Sequence, residues 1–249
     1  MFILERQQRI IEIIKKRKCA TVSYLSRELY ASEATIRRDL VEMQKRNMIK
    51  RVRGGAALIE GISSDEPLLV RMNRDREKKE YIARLALRYV SNGATLFMDP
   101  SSTVTVLASH LGEYDGLTVL TNGVMSLNIL NEKTTARVFC SGGLIRNNSA
   151  LVGQSALDGI SKFYADVLFF SCCGLSIACG STEALEDNAT VKRAMFENAA
   201  KRILLCDSTK FDTNYFCKVC DVNDIDVIIT DKKPSDKFLE NAKCAVIYK

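Results

Sequence analysis

SEATIRRDL, residues 32–40, joins a helix-start signal, two adjacent arginines and an apolar stripe in one short segment. Ser32 suits an N-cap, because its hydroxyl can accept a hydrogen bond from a free amide of the first turn. Ile36, Leu40 and Met43 recur at helical spacing and share one face. Ala34, Arg37, Arg38 and Val41 lie on another, with small residues leading and guanidiniums following. Such a helix is slim at its N-terminal half and suits entry into a groove lined by negative charge. A solvated charged face reads the same way in isolation, so the flanking sequence decides between the two.

Upstream, Ile10, Ile13 and Ile14 fall on one face of a helix over residues 5 to 16, and Thr21 opens a second short helix with Val22, Leu25 and Leu29 inward. Tyr30 and Ala31 make a tight connection to Ser32. Downstream, MIKRVRGGAAL alternates apolar and basic residues before Gly54-Gly55 and reads as a short hairpin. Three helices followed by a basic hairpin describe a winged helix-turn-helix, with the helix from Ser32 in the recognition position. Charge agrees. Residues 1–60 hold 14 Lys+Arg and 7 Asp+Glu, a net of +7 in a chain of +6, so the rest carries −1. The residues expected at DNA are Ser32, Thr35, Arg37, Arg38, Lys50, Arg51, Arg53, Gly54 and Gly55.

The chain has 249 residues, 47% of them hydrophobic, enough for two domains with separate cores. MFILERQQRI meets charge too early for a signal-peptide core, and no run approaches the roughly 18 apolar residues of a membrane span. A cytoplasmic protein is expected, and nine reduced cysteines fit it. Cys217 and Cys220 form a CxxC, but the lone histidine, His110, leaves too few partners for a zinc site, so neither metal nor cofactor is expected.

Three segments are expected: a DNA-binding domain at 1–60, a linker and connecting helix at 61–92, and a larger second domain at 93–249. Gly61 to Pro67 reads as linker, and one long charged helix is expected from about Leu69 to Val90, with Ile82, Leu85, Ala86 and Tyr89 on one side. From Gly93 the rhythm becomes strand, turn, helix. ATLFMD, LTVLTN, ARVFCSGG, DVLFFSCCG, RILLCDS, DVIITD and CAVIY are short apolar strands, with helices at 102–111, 124–130 and 188–201 among the intervening stretches. That alternation implies a doubly wound, mostly parallel α/β sheet.

In such sheets ligands bind beyond the C-terminal strand ends. Those ends are Asp99-Pro100-Ser101-Ser102-Thr103, Thr121-Asn122-Gly123, Ser141-Gly142-Gly143, Gly174 and Asp207-Ser208-Thr209-Lys210. Hydroxyls and backbone amides at helix starts suit a phosphate, and Lys210 adds a point charge. Asp99, Asn122 and Asp207 suit sugar hydroxyls, and Lys192 supplies a second cation if its helix packs beside that edge.

TIRRDL, VRGGA, MDPSSTV, LTNG, SGG, VKRAM and CDSTKF, in that order along nearly the whole chain, resemble the DeoR family of bacterial transcriptional regulators. The resemblance implies an effector domain similar to ribose-5-phosphate isomerase and CoA-transferase sheets. It also implies a repressor of carbohydrate uptake or catabolism genes, controlled by a sugar phosphate and acting on double-stranded operator DNA as a homo-oligomer, dimer or tetramer. The chain departs from the family at two points. Ser101 stands where a glycine is usual, beside a Pro100 that has no amide to donate. Arg53 stands where histidine is common, which favours phosphate contact and removes a pH-sensitive group.

The alternative is a sugar-phosphate isomerase or CoA-transferase-like enzyme with a DNA-binding appendage. Isomerisation needs a general base, normally a carboxylate. The turn after DVLFF, Ser171-Cys172-Cys173-Gly174, has none, and Glu183 and Glu186 read as solvated or helix-start acids. A regulator without catalysis is the preferred expectation.

Overall fold

A computed structural model describes residues 3–17, 19–45, 48–52, 54–57, 67–147 and 149–249. The chain divides into two compact units, Met1–Arg71 and Met72–Lys249. The first contains α1 (Ile3–Arg17), β1 (Cys19–Thr21), α2 (Val22–Glu28), α3 (Glu33–Lys45), β2 (Lys50–Val52) and β3 (Gly55–Ala57). The Thr21 hydroxyl accepts from the Tyr24 amide and starts α2. Ser32 does the same for Thr35 at the start of α3. Between them Tyr30 turns the chain with φ 49°.

Ile36, Leu40 and Met43 are buried as their spacing predicts, against Ile10, Ile14, Leu25 and Leu29. Ile13 is only partly buried, and Ile11 takes the inward place beside Ile10. The basic hairpin gains a third strand that periodicity does not reveal, in the order β1-β3-β2. Gly55 belongs to that join, since a Cβ there would lie 2.1 Å from the Ala20 carbonyl. Arg6 on α1 ties α3 down through Asp39 at 2.5 Å. Of the expected linker only Pro67 falls among the described residues.

The expected helix from Leu69 to Val90 is broken. It becomes α4 (Leu68–Asn73), a left-handed Asp75 with φ 51°, α5 (Arg76–Ala86) and a 3-10 turn at Leu87–Tyr89. Neither Pro nor Gly marks the break. Aspartate tolerates this conformation because its short polar side chain bonds locally, here to Lys78 at 2.9 Å.

The second unit continues with β4 (Thr95–Met98), α6 (Ser102–Ala108), β5 (Thr118–Thr121), α7 (Val124–Lys133), β6 (Arg137–Cys140), β7 (Leu144–Arg146) and β8 (Ala150–Val152). Then come α8 (Gln154–Ile160), β9 (Ala165–Phe170), β10 (Gly174–Ser176), β11 (Gly180–Glu183), α9 (Glu186–Glu197), β12 (Ala199–Leu205), β13 (Cys217–Cys220), β14 (Val227–Ile229), α10 (Asp236–Asn241) and β15 (Ala245–Ile247). The seven strands expected from the sequence form one sheet, ordered β15-β14-β12-β9-β4-β5-β6, and every pairing in it is parallel.

The inner strands are covered on both faces, since successive strand residues point to opposite sides, whereas the edge strands β6 and β15 stay partly exposed. Leu96, Met98, Val167, Phe169, Ile203 and Leu205 pack with residues of α5, α6 and α7. Phe97, Leu168, Phe170, Leu204 and Ile228 pack with α8, α9 and α10. The stretch 188–201 does not stay helical to its end. It leaves α9 at Glu197, and Ala199 and Lys201 pair with Ala165 and Val167, so cross-strand pairing overrides local helix propensity. The short antiparallel sheet β10-β11-β13 and the hairpin β7-β8 are additions unseen in the sequence pattern.

Strand order identifies the important crevice. From β4 the chain steps to β5 and β6 on one side, then returns to β9 and moves outward through β12, β14 and β15 on the other. The reversal lies between β4 and β9. In open α/β sheets that is where strand ends diverge and leave room for a ligand.

Candidate functional site

The tips of β12, β9, β4, β5 and β6, five consecutive strands, bring the nominated loops into one row. At its centre Asp99 follows β4 and Ser171 follows β9. Asp99 is 0% exposed, and each of its oxygens is engaged. Oδ1 accepts from the Ser101 amide at 2.9 Å, and Oδ2 accepts from the Ser171 amide at 2.9 Å and meets Lys192 Nζ at 2.7 Å. Asp99 therefore ties the two tips together through Ser101, Ser171 and Lys192.

Lys192 reaches this edge from α9 and is 5% exposed. Its ammonium has three donors. They meet Asp99, Glu183 Oε1 at 2.5 Å and the Ser171 carbonyl at 2.5 Å. Burial by itself lowers a lysine pKa, but Asp99 and Glu183 more than offset it and hold Lys192 well above its ordinary value. The cation is locked in its charged form.

Glu183 corrects the sequence reading. Expected as a solvated acid, it is 5% exposed on β11, with Oε2 accepting from the Cys173 thiol at 3.1 Å. Glu186 does begin a helix, in the first turn of α9. Ser171, Glu183 and Lys79 carry no distinct signal in the sequence: Ser171 shares the turn after β9 with Gly174, and β11 is too short and polar to stand out as a strand.

Lys210 is the more available cation. Its side chain is 20% exposed, donates to Ser171 Oγ at 2.9 Å and lies 3.7 Å from Asp207 Oδ2. Desolvation opposes its charge, yet Asp207 keeps its pKa raised. Asp207 caps the 3-10 turn at Ser208–Lys210 by accepting from the Thr209 amide at 3.0 Å. Despite desolvation, Lys210 and these hydrogen bonds keep its carboxylate below the usual range. Lys79, buried on α5, donates to the Arg74 carbonyl. Desolvation pushes its pKa down to about 8, and Asp207 is the strongest charge opposing that fall.

On the other side of the reversal, Ser101 caps α6 with φ −73°, ordinary extended backbone, so glycine's freedom is not needed there. Ser102 and Thr103 are buried, and Thr103 Oγ1 has no hydrogen-bond partner. Thr121 Oγ1 donates to the Met98 carbonyl at 2.6 Å and accepts from the Gly123 amide at 3.0 Å. Asn122 Nδ2 donates to the Leu151 carbonyl, whereas its Oδ1 is buried without a partner. Gly123 backs onto Pro100, whose Cα would lie 3.1 Å from an added Cβ. Gly142 and Gly143 are exposed, and Gly143 lies against the Val152 carbonyl. Gly174 belongs to β10, where Thr182 donates to its carbonyl.

In the first unit Ser32, Arg37, Arg38 and Arg51 are exposed, and Thr35 is half-buried. Arg37 is engaged with Glu33 at 2.8 Å across one helical turn. Gly54 supplies the carbonyl that accepts from the Val22 amide at 2.9 Å. Lys50 opens β2, and Arg53 lies outside the described residues. Among the described residues no group of three or more His, Cys, Asp or Glu side chains is placed to hold a metal ion. No helix there is long and apolar enough to cross a membrane.

Comparison with known proteins places both units. Residues 6–61 match the DeoR-like helix-turn-helix domain, and residues 74–232 match the DeoR C-terminal sensor domain. The HTH-type transcriptional repressor GlcR of Bacillus subtilis (strain 168) is 32% identical over 96% of this chain and 93% of its own. The glycerol-3-phosphate regulon repressor of Escherichia coli (strain K12) is 32% identical over 92% of this chain and 91% of its own. Ribose 5-phosphate isomerase A from Methanocaldococcus jannaschii aligns at 14% identity and a TM-score of 0.41, over 55% of each chain. With a winged helix-turn-helix in its first unit, a parallel sheet with polar strand tips in its second, and family models matching both, the chain belongs to the DeoR family of DNA-binding transcriptional regulators.

Proposed function

We propose that this regulator represses genes of carbohydrate uptake or catabolism and is released from its operator by a phosphorylated sugar or polyol held at the strand tips of the sensor domain. The observation carrying this reading is the buried Asp99–Lys192–Glu183 constellation at the strand-order reversal, with Lys210 beside it. Burying three charges is costly, and ionisable groups arranged this way gather at functional clefts. Lys192 has its donors engaged, so the ligand phosphate falls to Lys210, and the unpartnered Thr103 Oγ1 and Asn122 Oδ1 take hydroxyls or bridging water. The name of the glycerol-3-phosphate regulon repressor supports the same ligand class.

On the DNA side, exposed Arg38 and Arg51, with Lys50 and Arg53, meet operator phosphates or base edges, and α3 enters the major groove. A single short helix reads too few base pairs for a genomic address, so the working form is a homo-oligomer on repeated half-sites. Arg38→Ala tests the assignment in an operator titration at several salt concentrations. A phosphate contact predicts weaker binding to all sequences and a salt slope reduced by about 1. A base contact predicts lost discrimination of about 1–3 kcal/mol at one position. Unchanged affinity and slope would remove Arg38 from the interface. Incubation with aldose and ketose phosphates tests the enzyme reading and is expected to show no turnover.

A further inference from the structure

Two thiols at the same crevice have no part in ligand binding as described. Cys172 lies two residues beyond Phe170 on β9, and Cys206 lies two beyond Leu204 on β12. Phe170 and Leu204 are register partners of these neighbouring parallel strands. Period-two alternation puts both cysteines on the sheet face that carries Phe170 and Leu204, and both pack in that core. Their sulfurs are 3.9 Å apart. Adjacent strands run about 4.8 Å apart, within the Cα separation that a disulfide spans.

We propose that Cys172 and Cys206 are a redox modification site, joined by a hydroperoxide into a disulfide across the tips of β9 and β12. Cys172 is the attacking sulfur. It is 4% exposed, against 0% for Cys206, and Lys210 and Lys192 are nearby cations. The hydrogen bond with Cys206, and after it the two lysines, favour the Cys172 thiolate against the burial that opposes it, whereas for Cys206 burial is the leading influence and pushes the thiol up. The Cys172 thiolate takes oxygen from the peroxide, forming a sulfenic acid and releasing hydroxide or an alkoxide. The Cys206 thiol then attacks the Cys172 sulfur, the S–S bond forms, and the sulfenic oxygen leaves as water after taking up the thiol proton. The peroxide is the two-electron oxidant, and a dithiol reverses the change.

The bond draws the sulfurs from 3.9 Å to about 2.05 Å. Ser171, next to Cys172, holds both Asp99 and Lys210, so the closure moves the groups that meet the ligand. This consequence, unlike the bond itself, rests on the proposed effector site. Oxidation is expected to raise the phosphate concentration needed for binding at least tenfold.

The test treats the full chain with hydrogen peroxide, denatures it, alkylates the remaining thiols and maps the peptides by mass. The expected result is two thiols fewer, a cross-link joining the Cys172 and Cys206 peptides, and recovery of both with dithiothreitol. Cys206→Ser should instead leave a sulfenic acid on Cys172 that dimedone traps, and Cys140→Ser should change nothing. Full alkylation after peroxide, a link between other cysteines such as Cys217 and Cys220, or dimedone labelling elsewhere would overturn the proposal. Inorganic phosphate, followed by thermal shift, then probes the reduced and oxidised chains. Equal response of the two overturns the functional consequence. Failure to stabilise either one counts against the effector site, while the mass result decides the bond independently.

Discussion

The two ends of the central sheet use carboxylates in opposite ways. At the N-terminal end Asp166 accepts from the Thr95 amide at 2.7 Å and its hydroxyl at 2.6 Å. Asp226 accepts from the Arg202 amide at 2.7 Å. Both carboxylates are exposed, clamp neighbouring strands and keep contact with water. At the C-terminal end Asp99, Glu183 and Asp207 are buried among lysines. Exposed clamps cost little desolvation. Buried charges are expensive unless their donors and acceptors are met, and the lysines beside these carboxylates meet that need.

The largest effect that would break this contrast is expected from Lys192→Met. It leaves Asp99 and Glu183 facing each other without their cation, and removal of one partner of a buried pair costs about 3–5 kcal/mol. Denaturant unfolding of the sensor unit measures it. A loss as small as that of an exposed pair would mean that water reaches the constellation and that the two ends are alike.

Lys210→Ala should have a smaller effect of a different kind. The lysine sits at the rim of the buried group, so stability should move little. Binding of inorganic phosphate should weaken about tenfold, about 1.4 kcal/mol, and ligand-free operator affinity should stay near that of the parent chain. A phosphate response at the parent concentration would place the anion elsewhere along the row of tips.

The smallest effect belongs to the other end. Hydrogen bonds from the Thr95 hydroxyl and amide hold the Asp166 carboxyl below its ordinary pKa. A depressed folded pKa contributes stability that is present above the unfolded value and lost as pH falls through the folded one. Asp166→Asn should therefore cost under about 1 kcal/mol at neutral pH, given the solvent screening of an exposed group. The difference from the parent chain should fade below about pH 4. A cost equal to that of Lys192→Met would erase the contrast between the two ends.

Much of this architecture was legible from residue order alone. ATLFMD through CAVIY marked all seven strands of the parallel sheet as short apolar runs; the inner strands are apolar because both their faces are buried, while the edge strands β6 and β15 stay partly exposed and show through their β-branched and aromatic residues. Ile36, Leu40 and Met43 marked the inner face of α3 through period alone. The break at Asp75 was not legible, since a left-handed aspartate leaves no compositional trace. Nor were β1, β10 and β11, which are three or four residues long and owe their existence to their partners.

The same division runs through the site. The sequence by itself determined which residue types gather at the strand tips, because the chain must leave each buried strand through a polar turn on the same edge. Only the tertiary structure decided what they do there. It put Ser171 and Asp99 together at the reversal of strand order, and it brought Lys192 from a helix and Glu183 from a small antiparallel sheet into one buried group. It also set Cys172 opposite Cys206. Pairing between distant strands has no local signature, and whether a glutamate is solvated or buried depends on what packs over it rather than on its neighbours in sequence.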